Sequence, residues 1–224
     1  TAPTTKNVTL TVNKAATTTE LYLNGARNNL TVTYGTVTNA TAKTSNLSVT
    51  LYRNGTPVSN PEVTTLAVGF YNYTAINAGN NNYTGSSETW FLTVNKNTSI
   101  CSLTVSPPTS TTYGTSVTAT CSCTNPEAAV KLYRNTADVT ASENGTATVL
   151  PAGTWNYTCN VSATQNYTSA SNSSDYVVNQ ATPILTINVA PSSTVTYNTQ
   201  TNVSCTANTV QVTPQLFRNG TSVS

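Results

Sequence analysis

The chain repeats itself, and the period of that repeat limits what it can fold into. Tyr34-Gly35-Thr36, Tyr113-Gly114-Thr115 and Tyr197-Asn198-Thr199 follow one another at spacings of 79 and 84 residues. Leu51-Tyr52-Arg53-Asn54 recurs as Leu132-Tyr133-Arg134-Asn135 and Leu216-Phe217-Arg218-Asn219. Asn72-Tyr73-Thr74 and Asn82-Tyr83-Thr84 each return 84 residues later, at Asn156 and Asn166. Val12-Asn13-Lys14, Val94-Asn95-Lys96 and Val178-Asn179-Gln180 close successive units. A unit of about 80–85 residues is too long for a solenoid repeat and suits a small β-sandwich. The markers divide the chain into 1–16, the last strand of a preceding or neighbouring unit; 17–98 and 99–182, two whole units; and 183–224, the first half of another.

Alternation within a unit predicts strands. In the second unit they fall at about 100–105, 116–123, 129–134, 146–150, 155–162 and 174–179. Pro107-Pro108, Asn125-Pro126, Asn144-Gly145 and Pro151-Ala152-Gly153 separate them, and no segment has a helical period. The expected fold is all-β: tandem antiparallel sandwiches whose short junctions arrange them as a stiff rod. Side chains switch faces at every strand residue. Trp155, Tyr157, Cys159 and Val161 therefore share the inward face, with Asn156, Thr158, Asn160 and Ser162 outward. Val130 and Leu132 point in, while Lys131 and Tyr133 point out.

Composition narrows the chemistry. Thr, Ser and Asn fill 100 of 224 positions, charged residues are 7%, and there is no His. Seven carboxylates leave few groups for acid–base catalysis or metal binding. No enzyme activity, metal or cofactor is expected. A net charge of +2 is too small for a nucleic-acid footprint, and no apolar run is long enough to span a membrane as a helix.

Cys101, Cys121, Cys123 and Cys159 allow three pairings. Cys121 and Cys159 correspond to Ala42 and Ala75 of the first unit, as two residues facing each other across a core would. Cys121–Cys159 is the expected link between the sheets. Cys101 and Cys123 lie symmetrically about the turn at Tyr113 and pair across a hairpin-like strand pair; buried free thiols are the alternative. Disulfides imply an oxidising setting, extracellular or at the cell surface. Cys205 matches Cys121, and its own partner would fall beyond Ser224.

Ala152-Gly153 leads into a strand carrying Tyr157-Thr158-Cys159, with Tyr two residues before Cys. This resembles the tyrosine corner of immunoglobulin domains, with Cys121 as the first family cysteine and Leu132 where the family has its core Trp. The Tyr-Gly-Thr, Leu-Tyr-Arg-Asn-Gly-Thr and Ala-Gly-Thr-Trp-Asn-Tyr-Thr-Cys segments are similar to tandem immunoglobulin-like repeats of large prokaryotic, particularly archaeal, surface and filament proteins. The resemblance implies stalks, adhesins, S-layer proteins or filament subunits. A half sandwich cannot cover its inner face alone. Either the array continues beyond this window, or subunits associate head to tail with the 1–14 strand donated to a neighbour's 183–224.

Asn-x-Ser/Thr acceptor sites stand at Asn7, Asn29, Asn39, Asn46, Asn54, Asn72, Asn82, Asn97, Asn144, Asn156, Asn160, Asn166, Asn172, Asn202 and Asn219. Composition alone would give about nine. Asn156, Asn160, Asn39 and Asn202 have outward parity, and Asn54, Asn144 and Asn219 sit in Asn-Gly turns. Covalent glycans would then supply the hydration that charge usually supplies. The leading expectation is a glycosylated structural rod, either a stalk or a filament. The alternative is an adhesin or carbohydrate-binding module, with Tyr52, Tyr133 and Phe217 as the only outward aromatics and surface glycans as partners.

Overall fold

The computed structural model describes residue 1 and residues 3–223. Two complete β-sandwiches follow one another. The first has eight strands: β1 (Thr19–Leu23), β2 (Leu30–Thr33), β3 (Thr38–Thr44), β4 (Thr50–Arg53), β5 (Thr56–Val58), β6 (Glu62–Thr64), β7 (Gly69–Asn77) and β8 (Ser86–Asn95). A three-stranded sheet, β1-β3-β6, faces a five-stranded one, β2-β8-β7-β4-β5. The second sandwich repeats the plan with β9 (Cys101–Ser106), β10 (Ser110–Thr112), β11 (Ser116–Cys123), β12 (Val130–Arg134), β13 (Ala137–Asp138), the one-turn helix α1 (Thr140–Glu143), β14 (Ala147–Val149), β15 (Gly153–Val161) and β16 (Ala170–Asn179). Its sheets are β14-β11-β9 and β10-β16-β15-β12-β13. This division of strands is that of an immunoglobulin-like sandwich.

The pairing departs from the expected all-antiparallel pattern at one place in each sandwich. β2 runs parallel to β8, and β10 runs parallel to β16. A parallel pair cannot be joined by a tight turn. Here the rest of the sandwich forms the connection. β10 was not legible because Ser110-Thr111-Thr112 is a short polar edge with no apolar alternation. Nor was α1, since a single turn cannot display a helical period.

The inward residues form one core per sandwich. Leu21, Leu23, Leu51, Tyr73, Leu92 and Val94 are buried in the first. Val117, Leu132, Tyr157, Cys159, Tyr176 and Val178 are buried in the second. The expected parity holds for β12, where Leu132 is buried and Lys131 exposed. Hydroxyls close the open side of each sandwich. Thr17 and Thr19 bond the Ser86 hydroxyl at 2.9 and 2.7 Å. In the second sandwich the Ser99 hydroxyl donates to the Thr168 carbonyl, and the Thr168 hydroxyl accepts from the Ser99 N–H at 3.0 Å.

Residues 183–223 carry two hairpins, β17 (Leu185–Ala190) with β18 (Asn202–Ala207), and β19 (Phe217–Arg218) with β20 (Thr221–Ser222). Ile187 stands opposite Cys205 as Leu103 stands opposite Cys121. The hairpins leave Leu185, Ile187 and Phe217 exposed. Residues 3–14 carry no strand, and Val8, Leu10 and Val12 are exposed.

Candidate functional site

Both disulfides join the expected cysteines. Cys121–Cys159 links β11 to β15 across the core, and Cys101–Cys123 links the paired ends of β9 and β11. The Cys123 and Cys159 sulfurs lie 3.8 Å apart, so the cluster Cys101, Cys123 and Cys159 is two neighbouring disulfides with no thiolate to offer a metal. Cys205 is free and half-buried.

The recurring Arg and Tyr of the repeat have a function that alternation did not reveal. The Arg53 guanidinium pairs with Glu62 at 2.8 Å, and the Tyr73 hydroxyl donates to the same carboxylate at 2.6 Å. The second sandwich repeats the cluster: Arg134 pairs with Glu143 at 3.0 Å, and Tyr157 donates to Glu143 at 3.0 Å. Both carboxylates are buried, and a buried charge needs both a counter-charge and hydrogen bonds. Burial and the neighbouring carboxylate push both tyrosine hydroxyls well above their usual range. The signal available in the sequence was an Arg kept at one position in a chain with so few charges.

Tyr157 is therefore not the tyrosine corner that the resemblance implied, because its hydroxyl is held by Glu143. The corner lies one pleat earlier. The Trp155 indole N–H donates to the Pro151 carbonyl at 3.0 Å, and the equivalent Tyr71 hydroxyl donates to the Ala67 carbonyl at 2.8 Å. Each reaches back four residues, which anchors the loop before the strand.

The acceptor asparagines separate by what their side chains already hold. Asn7, Asn29, Asn39, Asn46, Asn54, Asn72, Asn82, Asn156, Asn172, Asn202 and Asn219 are exposed. Asn54 and Asn219 sit at positive φ in their Asn-Gly hairpin turns, as such turns require. Asn144 departs from the expected outward turn. It is half-buried, and its amide docks on the Cys121 backbone, accepting from N–H at 2.8 Å and donating to C=O at 3.3 Å. Asn60 docks on Ala42 in the same way in the first sandwich, and Asn60-Pro61 is not an acceptor sequence. This position therefore serves the edge of the small sheet, whichever residues follow it.

Asn97, Asn160 and Asn166 are also half-buried. Asn97 and Asn166 meet at the junction between the sandwiches. The Asn97 N–H donates to the Asn166 carbonyl, and the Thr168 N–H donates to the Asn97 carbonyl, both at 2.9 Å. The Asn166 side chain accepts from the Val68 N–H at 3.0 Å and donates to Glu127 at 2.8 Å. Lys96 donates to the Thr164 carbonyl at 2.5 Å, and the rings of Tyr34 and Tyr167 meet edge to face at 5.6 Å. Ala15 repeats the backbone part of this joint on the first sandwich, donating to Asn82 at 2.8 Å and accepting from Thr84 at 2.9 Å. The repeated Asn-Tyr-Thr of residues 82–84 and 166–168 is thus the receptor for the preceding segment. In the sequence it shows only as a repeat marker and an acceptor site, because backbone bonds leave no side-chain signature.

Tyr52 and Tyr133 are half-buried and Phe217 is exposed. The outward aromatic pair lies elsewhere: Phe70 and Phe91 stack at 5.1 Å on the outer face of the large sheet. The parity of Phe70-Tyr71-Asn72-Tyr73-Thr74 would have found Phe70.

No family model matches the sequence, and no curated protein matches it. Among solved structures, the chain is similar to the fibronectin(III)-like modules of CbhA from Clostridium thermocellum, at 16% identity and a TM-score of 0.29, over 71% of this chain and 94% of that one. It is also similar to titin domains Z1Z2, solved in complex with telethonin, at 16% identity and a TM-score of 0.40, over 76% of this chain and 100% of that one.

Proposed function

We propose that the chain is a non-enzymatic structural protein of the cell surface or extracellular space. Its immunoglobulin-like units form a glycosylated rod that serves as a stalk or filament. The joint between the sandwiches carries this reading. Its backbone bonds occur in the same form at Ala15 and at Asn97, on equivalent loops. A joint that recurs with one geometry sets the same step at each junction. The recurring Arg–Glu pairs act in the same direction, since the Glu62 and Glu143 carboxylates they hold are buried within the sandwiches. The disulfides of the second unit support an oxidising location. Further β-structure of the same kind, in this chain or in a second copy docked head to tail, would cover the apolar residues exposed in 183–224.

Small-angle scattering tests the rod. A globule of this length would have a radius of gyration of roughly 17 Å. A serial array gives a value well above that, and a value near it would overturn the reading. An adhesin or carbohydrate-binding module is the second reading, favoured by the exposed Phe70–Phe91 stack.

A further inference from the structure

We propose that Asn72 carries a glycan whose first sugar packs on the Phe70–Phe91 stack. The proposal rests on the glycoprotein reading above and narrows it to one site and one contact.

Four observations converge on this residue. Phe70 is 63% exposed, yet it is held by a near-parallel stack with Phe91, 20° between the rings. The stacked pair offers a fixed apolar platform with one ring face toward solvent. Asn72 stands directly opposite Phe91 in the β7–β8 register and two residues after Phe70. Residues two apart on a strand share a face at about 6.5–7 Å, a span that one pyranose ring on the asparagine can bridge. The Asn72 Nδ2 has no hydrogen-bond partner among the described residues, while its Oδ1 accepts from the Thr74 hydroxyl at 2.9 Å. The nitrogen that must be substituted is therefore free.

The second sandwich provides the contrast. Asn156 occupies the equivalent place, but its Nδ2 donates to Asp175 at 2.8 Å. Thr154 and Asp175 replace the two phenylalanines. The aromatic platform and the free acceptor nitrogen thus occur together at Asn72. The polarised C–H face of a sugar is attracted to the negative face of an aromatic ring by the electrostatics that hold cations there.

The donor is a lipid-diphosphate-linked oligosaccharide. A bond forms between Asn72 Nδ2 and the anomeric carbon, and the carbon–oxygen bond to the diphosphate breaks. The diphosphate leaves with the electron pair, and one Nδ2 proton passes to base. No oxidation or reduction occurs.

The test uses the full chain secreted from a host that N-glycosylates, with glycopeptide mapping, NMR and thermal unfolding of wild type, N72Q, F70A and F70A/N72Q. The expected result is an occupied Asn72 whose first sugar's ring protons are shifted upfield by the aromatic rings. N72Q then lowers the Tm of the first sandwich by about 4–8 °C. In the F70A background the upfield shift disappears and N72Q changes Tm by much less, which separates the sugar contact from the loss of Phe70 itself. A bare Asn72 beside other occupied acceptors overturns this proposal and leaves the glycoprotein reading standing. Bare asparagines throughout overturn both. An occupied Asn72 with unchanged sugar shifts and an unchanged N72Q effect in F70A overturns the contact.

Discussion

At the scale of single residues, each sandwich uses one Arg–Glu pair as an internal fastening. Glu143 is buried; it accepts from Tyr157 and pairs with Arg134. The pH dependence of stability follows from the tyrosines. Burial, together with Glu62 or Glu143, holds the Tyr73 and Tyr157 hydroxyls above their usual value of 10. Above that pH the unfolded chain has lost these protons while the folded chain keeps them. Stability is therefore full below about pH 10 and falls as pH rises further, by about 1.4 kcal/mol per pH unit for each such tyrosine. Denaturant titrations at pH 8, 10 and 11 are expected to show this decline. Y157F removes one tyrosine's share of the slope from the second sandwich and leaves the first unchanged. Equal slopes in wild type and Y157F would contradict the assignment.

At the scale of elements, the repeat doubles as a natural substitution experiment. Cys121 and Cys159 stand where the first sandwich has Ala42 and Ala75, both buried in an intact core. The double variant C121A/C159A therefore keeps its fold. It loses the cross-link that closes 38 residues of chain, worth about 4 kcal/mol on a chain-entropy account. A calorimetric scan is expected to show the second sandwich melting earlier while the first melts as before. Loss of the β-sheet signal in the second unit would show that the disulfide is needed for the fold itself. The long strands were legible from alternation because one face is buried; β7 and β15 show this best. The direction of Asn144 was not legible. Asn-Gly reads as a turn, but the amide finds a better position against the Cys121 backbone. The shift of the corner from Tyr157 to Trp155 has a similar cause. A buried carboxylate competes for the tyrosine hydroxyl, and nothing local in the sequence announces that partner.

At the scale of the whole molecule, a chain poor in ions makes its joints from backbone and hydroxyl groups. The sandwiches were legible because their period was, whereas the joint between them was hidden inside Asn-Tyr-Thr. Asn97, Asn166 and Thr168 form its backbone core, with Val68, Lys96 and the Tyr34–Tyr167 contact around it. If this joint sets a fixed step, the two sandwiches tumble and align as one body. Residual dipolar couplings of the intact chain measure this directly. The account predicts that couplings from β1–β8 and from β9–β16 fit a single alignment tensor. Two tensors of clearly different magnitude would mean that the sandwiches reorient independently and would contradict the rod.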